Sequence, residues 1–397
     1  MSGPRILAIA YVCMPGVGSE PGTGFAWARI LAGIGETWIL TRPWPARRAE
    51  LEAAVAAAPE GASIHLEYVD LPRWAGTSGW DPFTRGHQRL EYILWQLAAL
   101  RTARRLARRQ QIDLVWHLTF ANVWMGSIGA LVGPRSILGP VGGGVGPPWR
   151  LMAGSGVRSL LGEGLRSGVR TVARYLNPLA RVAWSRATLI LAQNAETLAW
   201  LPSSARRRTV VFHHVALEEQ AAVRTRQRGS TPPVAIFAGR LLPWKGVGLA
   251  LRAIAQLDGW RLIITGSGPQ EQDLRALAAT LGIADRVEFR GWVARHAVLA
   301  AMRDEADVML FPSLHEEGGW AVGEAIAMGL PVVCLDRGGP PLVGGVPVAA
   351  GSEAETVRGL AAAARRVVED PPPPPPPPLL DSRRAGLVAI LRQRGLG

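Results

Sequence analysis

Cysteine is almost missing from this chain. Cys13 and Cys334 are the only two in 397 residues and stand far apart, which excludes a disulfide framework and fits a reducing cytoplasm. Each reads as a small buried hydrophobe at a strand end rather than as a nucleophile. Lysine is scarcer still. Among 44 basic residues Lys245 is the single lysine, and an arginine-based chain that keeps one ammonium hints that this position wants that group. Acidic residues number 31, leaving a formal charge of +13. That excess suits nucleic acid, an anionic membrane surface or a phosphorylated substrate, and equally a merely solvated arginine-rich surface. Zinc-finger, RNP-type and basic-zipper patterns are missing, so no nucleic-acid partner is expected.

Clear secretion and membrane signals are missing too. Arg5 and the apolar run Ile6–Met14 imitate a signal peptide, but the run enters a Gly/Pro loop without a small-x-small cleavage pattern. It therefore reads as a first β-strand. Residues 114–134 carry no formal charge, yet they hold His117, Asn122 and several glycines. That mixture predicts a buried strand, a loop and a helix rather than a membrane span.

What is present is a well-filled interior: 48% hydrophobic content argues against disorder, and the length suggests two or three domains. Apolar strand-like runs alternate with alanine- and leucine-rich helical runs. The first half has Ile6–Val12, Thr37–Leu40, Ile112–His117 and Leu189–Gln193; the second has Val234–Phe237, Arg261–Ile264, Val287–Phe289 and Val308–Phe311. Continuous apolar strands separated by helices predict parallel sheets covered on both faces. Two such sets predict an α/β chain of two Rossmann-like domains, with ligands beyond the carboxyl ends of the strands. The break is expected near 203–233, where Arg206–Arg208 and the turn formers Gly229–Pro233 cluster. The expected divisions are 1–205, 206–370, a polyproline spacer 371–378, and 379–397. Eight consecutive prolines favour polyproline II, and the basic helical run Ser382–Arg394 follows them.

Four segments carry chemistry. The stretch Phe311–Cys334 places Glu316 and Glu324 eight positions apart around Gly318-Gly319. A buried strand precedes Glu316, and a short helix over Trp320–Met328, closed by Gly329 and Pro331, contains Glu324. Glycines at a helix N-terminus suit a diphosphate, and ionised carboxylates can accept from sugar hydroxyls. In Ala235–Gly246 a strand ends at Gly239, Arg240 sits at its mouth and Lys245 opens the next helix; two cations there would neutralise a leaving diphosphate. Ile263–Pro269 is another strand leading into a glycine loop, with Gly266 and Gly268. Pro15–Gly24 follows the first strand and allows close approach to a phosphate, although its glycines do not have G-x-G-x-x-G spacing. Outside these, Arg158, Arg166, Arg170, Arg174 and Arg181 among leucines and valines predict a basic amphipathic helix that could sit on anionic lipid or form an ordinary domain surface. Fifteen tryptophans against four tyrosines add mild support for an interface.

Together these segments resemble the retaining GT-B glycosyltransferases, in particular glycosyltransferase family 4 with its E-x7-E signature. Gly18-Ser-Glu-Pro-Gly22, His117-Leu-Thr-Phe120 and Gly139–Gly144 resemble the motifs of one subgroup. The likeness runs through most of residues 5–350. It implies two Rossmann-like domains facing each other across a cleft, and sugar transfer from a nucleoside-diphosphate donor with no essential metal and no other cofactor. By that likeness, Arg240 and Lys245 contact the diphosphate, Glu316 holds donor-sugar hydroxyls and Glu324 the ribose. His117, ordinarily a structural residue at a strand end, lies beside the donor sugar. Gly18, Gly239, Gly266, Gly268, Val293, Gly318, Gly319 and Trp320 complete the donor-binding set, with the backbone near Val293 recognising the base. Front-face attack in an ion-pair-like transition state is implied, and so is a C-terminal helix returning to the first domain. The expected acceptor is a lipid-linked saccharide, the expected location cytoplasmic with peripheral contact at the inner face of an anionic plasma membrane, and the expected setting cell-surface polysaccharide or glycolipid assembly. Natural-product glycosylation, a catalytically silent nucleotide-sugar binding subunit, a nucleotide-sugar epimerase and, on charge alone, a nucleic-acid-binding module remain alternatives; the epimerase would need a histidine and acidic set that is not found.

Overall fold

The computed structural model describes residues 3–44, 47–71, 88–120, 122–133, 135–152, 157–218, 224–225 and 231–396. Parts of the expected break (219–223 and 226–230) and the side chain of Arg158 lie outside the described residues. The chain forms two units. The first comprises Met1–Gly144, Arg170–Glu218 and Leu379–Gly397; the second comprises Val145–Val169 and Glu219–Pro378. Residues 145–169 thus group with the second unit, although they precede the break that composition suggested.

In the first unit β1 (Ile6–Ile9), β2 (Thr37–Thr41), β3 (Ile64–Tyr68), β4 (Leu114–His117), β5 (Ser136–Val141), β6 (Leu189–Ala192) and β7 (Thr209–Val211) make one parallel sheet in the order β3-β2-β1-β4-β5-β6-β7. Its inner strands are buried throughout, as apolar runs covered on both faces require. Strand β3 escapes the hydrophobic pattern because His65 and Glu67 alternate with its apolar residues on a sheet edge. Strand β5 escapes it because Gly139-Pro140 interrupt the run. The helix Leu380–Gln393 packs beside the helix Ser19–Ala32, and Glu60 joins them by ion pairs to Arg29 and Arg384.

In the second unit β8 (Val234–Ala238), β9 (Arg261–Thr265), β10 (Val287–Gly291), β11 (Val308–Phe311), β12 (Val332–Leu335) and β13 (Val346–Val348) form a parallel sheet ordered β10-β9-β8-β11-β12-β13. Leu151 and Met152 belong to its core with Phe237, Leu251, Ile264 and Leu360. The helix Glu353–Glu369 starts at a capping box in which Ser352 and Glu355 exchange hydrogen bonds.

Two expectations change. Residues 114–134 hold β4, turns and a 3-10 turn Ile128–Leu131 rather than a regular helix after the strand. The basic stretch is helical over Val157–Leu176, but its amphipathicity is inverted: Glu163 and Arg170 are buried, while Leu161, Leu165, Val172 and Leu176 are 56–73% exposed. Among the described residues no helix is long and apolar enough to cross a membrane.

Candidate functional site

Strand order reverses between β8 and β11 in the second unit, and ligands of open parallel sheets settle beyond the carboxyl ends at such a reversal. Both loops that leave the strands there carry expected site residues. After β8 come Gly239, Arg240 and the 3-10 turn Pro243–Lys245; after β11 comes Ser313–Gly319. Lys245 Nζ donates to Glu316 Oε2 at 2.5 Å, and the ammonium stands 5.5 Å over the Phe311 ring. Both side chains are about four-fifths shielded, at 19% and 20% exposure, so their attraction is less screened than that of a surface pair. Arg240 is exposed and, among the described residues, makes no ion pair.

Gly319 caps the helix Trp320–Ala327 in a left-handed conformation, φ 88°, with no side chain on the helix's first amides. Those amides lie at the positive end of the helix dipole. Within the helix Glu324 is buried and accepts from Arg295 Nε at 2.7 Å and Trp320 Nε1 at 3.1 Å, both at Oε1. Burial pushes its carboxyl above the usual range, against the pull of Arg295. Arg295 opens the helix Arg295–Asp304, two residues past Val293, so the segment after β10 is tied to the Glu324 corner.

The expected glycines are largely fixed by neighbouring backbone. A side chain on Gly266 (φ 131°) would strike the Gly239 carbonyl, one on Gly268 the Leu241 carbonyl, and one on Gly246 (φ 70°) the Pro312 carbonyl. Close approach of the three loops therefore accounts for these glycines before any ligand is invoked.

The loop 313–319 is held from a direction that sequence did not reveal. His315 contacts Arg166 and Glu163 of the helix Val157–Leu176, Glu317 Oε1 accepts from the Val145 amide at 3.2 Å, and Arg337 donates to the Gly146 carbonyl. These partners lie some 150–190 positions apart, and no motif marks them. A cavity of about 280 Å³, lined by Arg224, Asp307, Pro371, Pro372, Pro374 and Pro375, lies at the amino ends of β12 and β13, away from Lys245.

In the first unit the sheet reverses between β1 and β4, and its two loops there carry the other expected residues. Gly18 caps the helix Ser19–Ala32. His117 ends β4, fully buried, with Nε2 3.1 Å from the Tyr92 hydroxyl. The Phe120 backbone also meets the ring. Burial holds the imidazole down to about 4, so it is neutral at pH 7. Asn122 bridges to Gly142, and its side chain fills the space beside Gly143, so the His117–Asn122 and Gly139–Gly144 motifs are one packed structure. Among the described residues no His, Cys, Asp and Glu side chains group as metal ligands.

Two Rossmann-like parallel-sheet units, with charged loops at a strand-order reversal, define the GT-B class of fold. Comparison with known proteins supports a glycosyltransferase enzyme. Residues 219–373 match the family "Glycosyl transferases group 1". A 111-residue segment is 39% identical to the 2-deoxystreptamine glucosyltransferase of Streptomyces kanamyceticus and covers 27% of this chain but only 28% of that enzyme's length. The GDP-mannose-dependent alpha-(1-6)-phosphatidylinositol monomannoside mannosyltransferase of Mycobacterium tuberculosis is 27% identical over 334 residues, 76% of this chain and 81% of its own. The crystal structure of Anabaena HepE in complex with UDP superposes with a TM-score of 0.55 over 98% of this chain and all of that one, at 16% identity, which speaks for the fold alone.

Proposed function

We propose that the protein is a retaining glycosyltransferase that moves a sugar from a nucleoside-diphosphate donor to an acceptor hydroxyl, without an essential metal. The observation that carries this reading is the Lys245–Glu316 pair at the β8/β11 reversal, beside the amides of the helix Trp320–Ala327. An ammonium has three donors, so Lys245 can hold Glu316 and still meet a diphosphate oxygen, with Arg240 as second cation. Glu316 then accepts from donor-sugar hydroxyls. Glu324, kept in place by Arg295 and Trp320, accepts from the ribose. Charge builds on the leaving diphosphate as the glycosidic bond breaks, and fixed cations and helix amides stabilise it there. Front-face attack by the acceptor gives retention with no covalent enzyme intermediate. The test is transfer assayed with UDP- and GDP-sugars in EDTA, with the product anomer read by NMR; an inverted product would refute retention, and activity lost in EDTA and restored by magnesium would refute metal independence.

The favoured acceptor is a lipid-linked saccharide in cell-surface polysaccharide or glycolipid assembly, reached from the cytoplasmic face by peripheral membrane contact. The exposed apolar residues of the helix Val157–Leu176 and the charge of +13 support that location. So does the mycobacterial relative, whose name gives it a phosphatidylinositol mannoside acceptor. A second reading, transfer to a natural-product aglycone, is favoured by the higher local identity to the 2-deoxystreptamine glucosyltransferase.

A further inference from the structure

Lys245 and Glu316 are paired twice over, once through their own charges and once through the residues that precede them. Trp244 stacks on His315 with ring centroids 5.4 Å apart and planes 14° from parallel. The Trp244 carbonyl also accepts from Leu314 N at 2.7 Å and from Ser313 Oγ at 3.2 Å. Behind His315 stands the helix Val157–Leu176. Its Arg166 places one guanidinium nitrogen 2.5 Å from His315 Nε2 and 3.1 Å from Glu163 Oε1, and Glu163 Oε2 lies 3.5 Å from the same imidazole nitrogen. Glu163 and His315 are more than nine-tenths buried. The same guanidinium nitrogen lies 3.1 Å from His315 Nδ1, so Arg166 lies against both ring nitrogens.

This helix turns a carboxylate and a guanidinium inward while Leu161 and Leu165 stay about 70% exposed. Apolar burial alone would have rotated it the other way, and buried charges are costly unless fully paired. The orientation therefore serves the contact with His315. The loop that follows contains Gly318 and Gly319 and has little stiffness of its own.

We propose that Glu163 and Arg166 are positioning residues: through His315 and Trp244 they hold the Glu316 carboxylate and the Lys245 ammonium in register for the donor. This rests on the reading of Lys245 and Glu316 as the donor site. Arg166 and Glu163 touch no donor; they fix where Glu316 stands, and a displacement near 1 Å at such a site costs about 10²-fold in turnover.

The test is a double-mutant cycle in the full chain with Arg166→Met, Glu316→Gln and their combination. The donor is UDP-glucose or GDP-mannose, whichever the wild type binds, and Kd, kcat and melting temperature are measured for each protein. Arg166→Met should lower kcat about 10²-fold in the wild-type background and weaken donor binding. Added to Glu316→Gln it should change donor Kd less than about twofold, because the carboxylate it positions is gone. Equal losses in both backgrounds would overturn the proposal, since a general structural defect multiplies through. If Arg166→Met does not fold, the neutral pair Glu163→Gln/Arg166→Gln replaces it, and wild-type kcat and Kd in that protein would equally overturn the proposal. Silent Arg166→Met beside a damaging Glu316→Gln refutes the positioning role alone; a silent Glu316→Gln refutes the donor site itself.

Discussion

At the residue scale the decisive group is the one lysine. Replacing it leaves Glu316 without its cation and, on the proposed reading, removes one of the groups that meet the diphosphate. Lys245→Ala should lower kcat by about 10²–10³, the usual cost of removing one leaving-group stabiliser, and turnover within a fewfold of wild type would refute its role. Glu324→Ala should chiefly weaken nucleotide affinity, seen by calorimetry as a raised Kd with kcat changed less. A third residue reports through pH. Buried His117 and half-buried His213 are held down to about 4 and about 2, chiefly by desolvation, against an ordinary value near 6.5. As pH falls from 6.5 to 4 the unfolded chain takes up protons that these folded imidazoles refuse, so stability is full above 6.5 and declines through that window. His117→Gln should flatten the decline of the urea midpoint between pH 7 and 4.5; an unchanged slope would assign it to other groups. The placement of these residues was partly readable from sequence. Glu316, Glu324, Lys245 and Arg240 sit within two short segments whose strand-loop-helix pattern places them. Arg295, Glu163, Arg166 and His315 were not readable, because their roles arise from contacts between segments far apart in sequence.

At the element scale, the loops matter more than the strands. Gly246 has φ 70° and faces the Pro312 carbonyl, which locks the turn carrying Lys245 against the strand before Glu316. Gly246→Ala should destabilise by about 1–3 kcal/mol through strain at a left-handed site, with a lowered melting temperature; a neutral result would show that this junction yields. The exposed face of the helix Val157–Leu176 predicts the reverse combination. Leu161→Gln/Leu165→Gln should leave the melting temperature within about 1–2 °C, because exposed sites contribute little to stability. The same protein should co-sediment less with anionic liposomes. Unchanged co-sedimentation, or none in the wild type at low salt, would remove this helix as a membrane contact. Hydrophobic periodicity identified this segment as a basic amphipathic helix but not which face turns inward, since pairing with His315 overrides apolar burial.

At the scale of the whole molecule, two parallel sheets were legible because most of their strands are continuous apolar runs; the short strands β3, β7, β12 and β13 and the Gly-Pro-interrupted β5 were not. Nor was the grouping of residues 145–169 with the second unit, which rests on long-range contacts with Glu317, His315 and Arg337. Each unit has its expected ligand loops at a strand-order reversal, so the motifs at Gly18, His117, Lys245 and Glu316 follow from topology as much as from chemistry. A silent binding subunit would share every one of these features, and turnover alone separates it from an enzyme of the same architecture.

The most direct measurement is donor binding by thermal shift, for wild type and Lys245→Ala, against UDP-, GDP-, ADP- and dTDP-sugars without metal and then with magnesium. A donor site built on Lys245, Glu316 and a helix terminus predicts a selective rise with one nucleotide sugar, independent of magnesium and much reduced in Lys245→Ala. No rise with any donor, or an equal rise in the variant, would contradict the assignment of this loop pair as the sugar-nucleotide site.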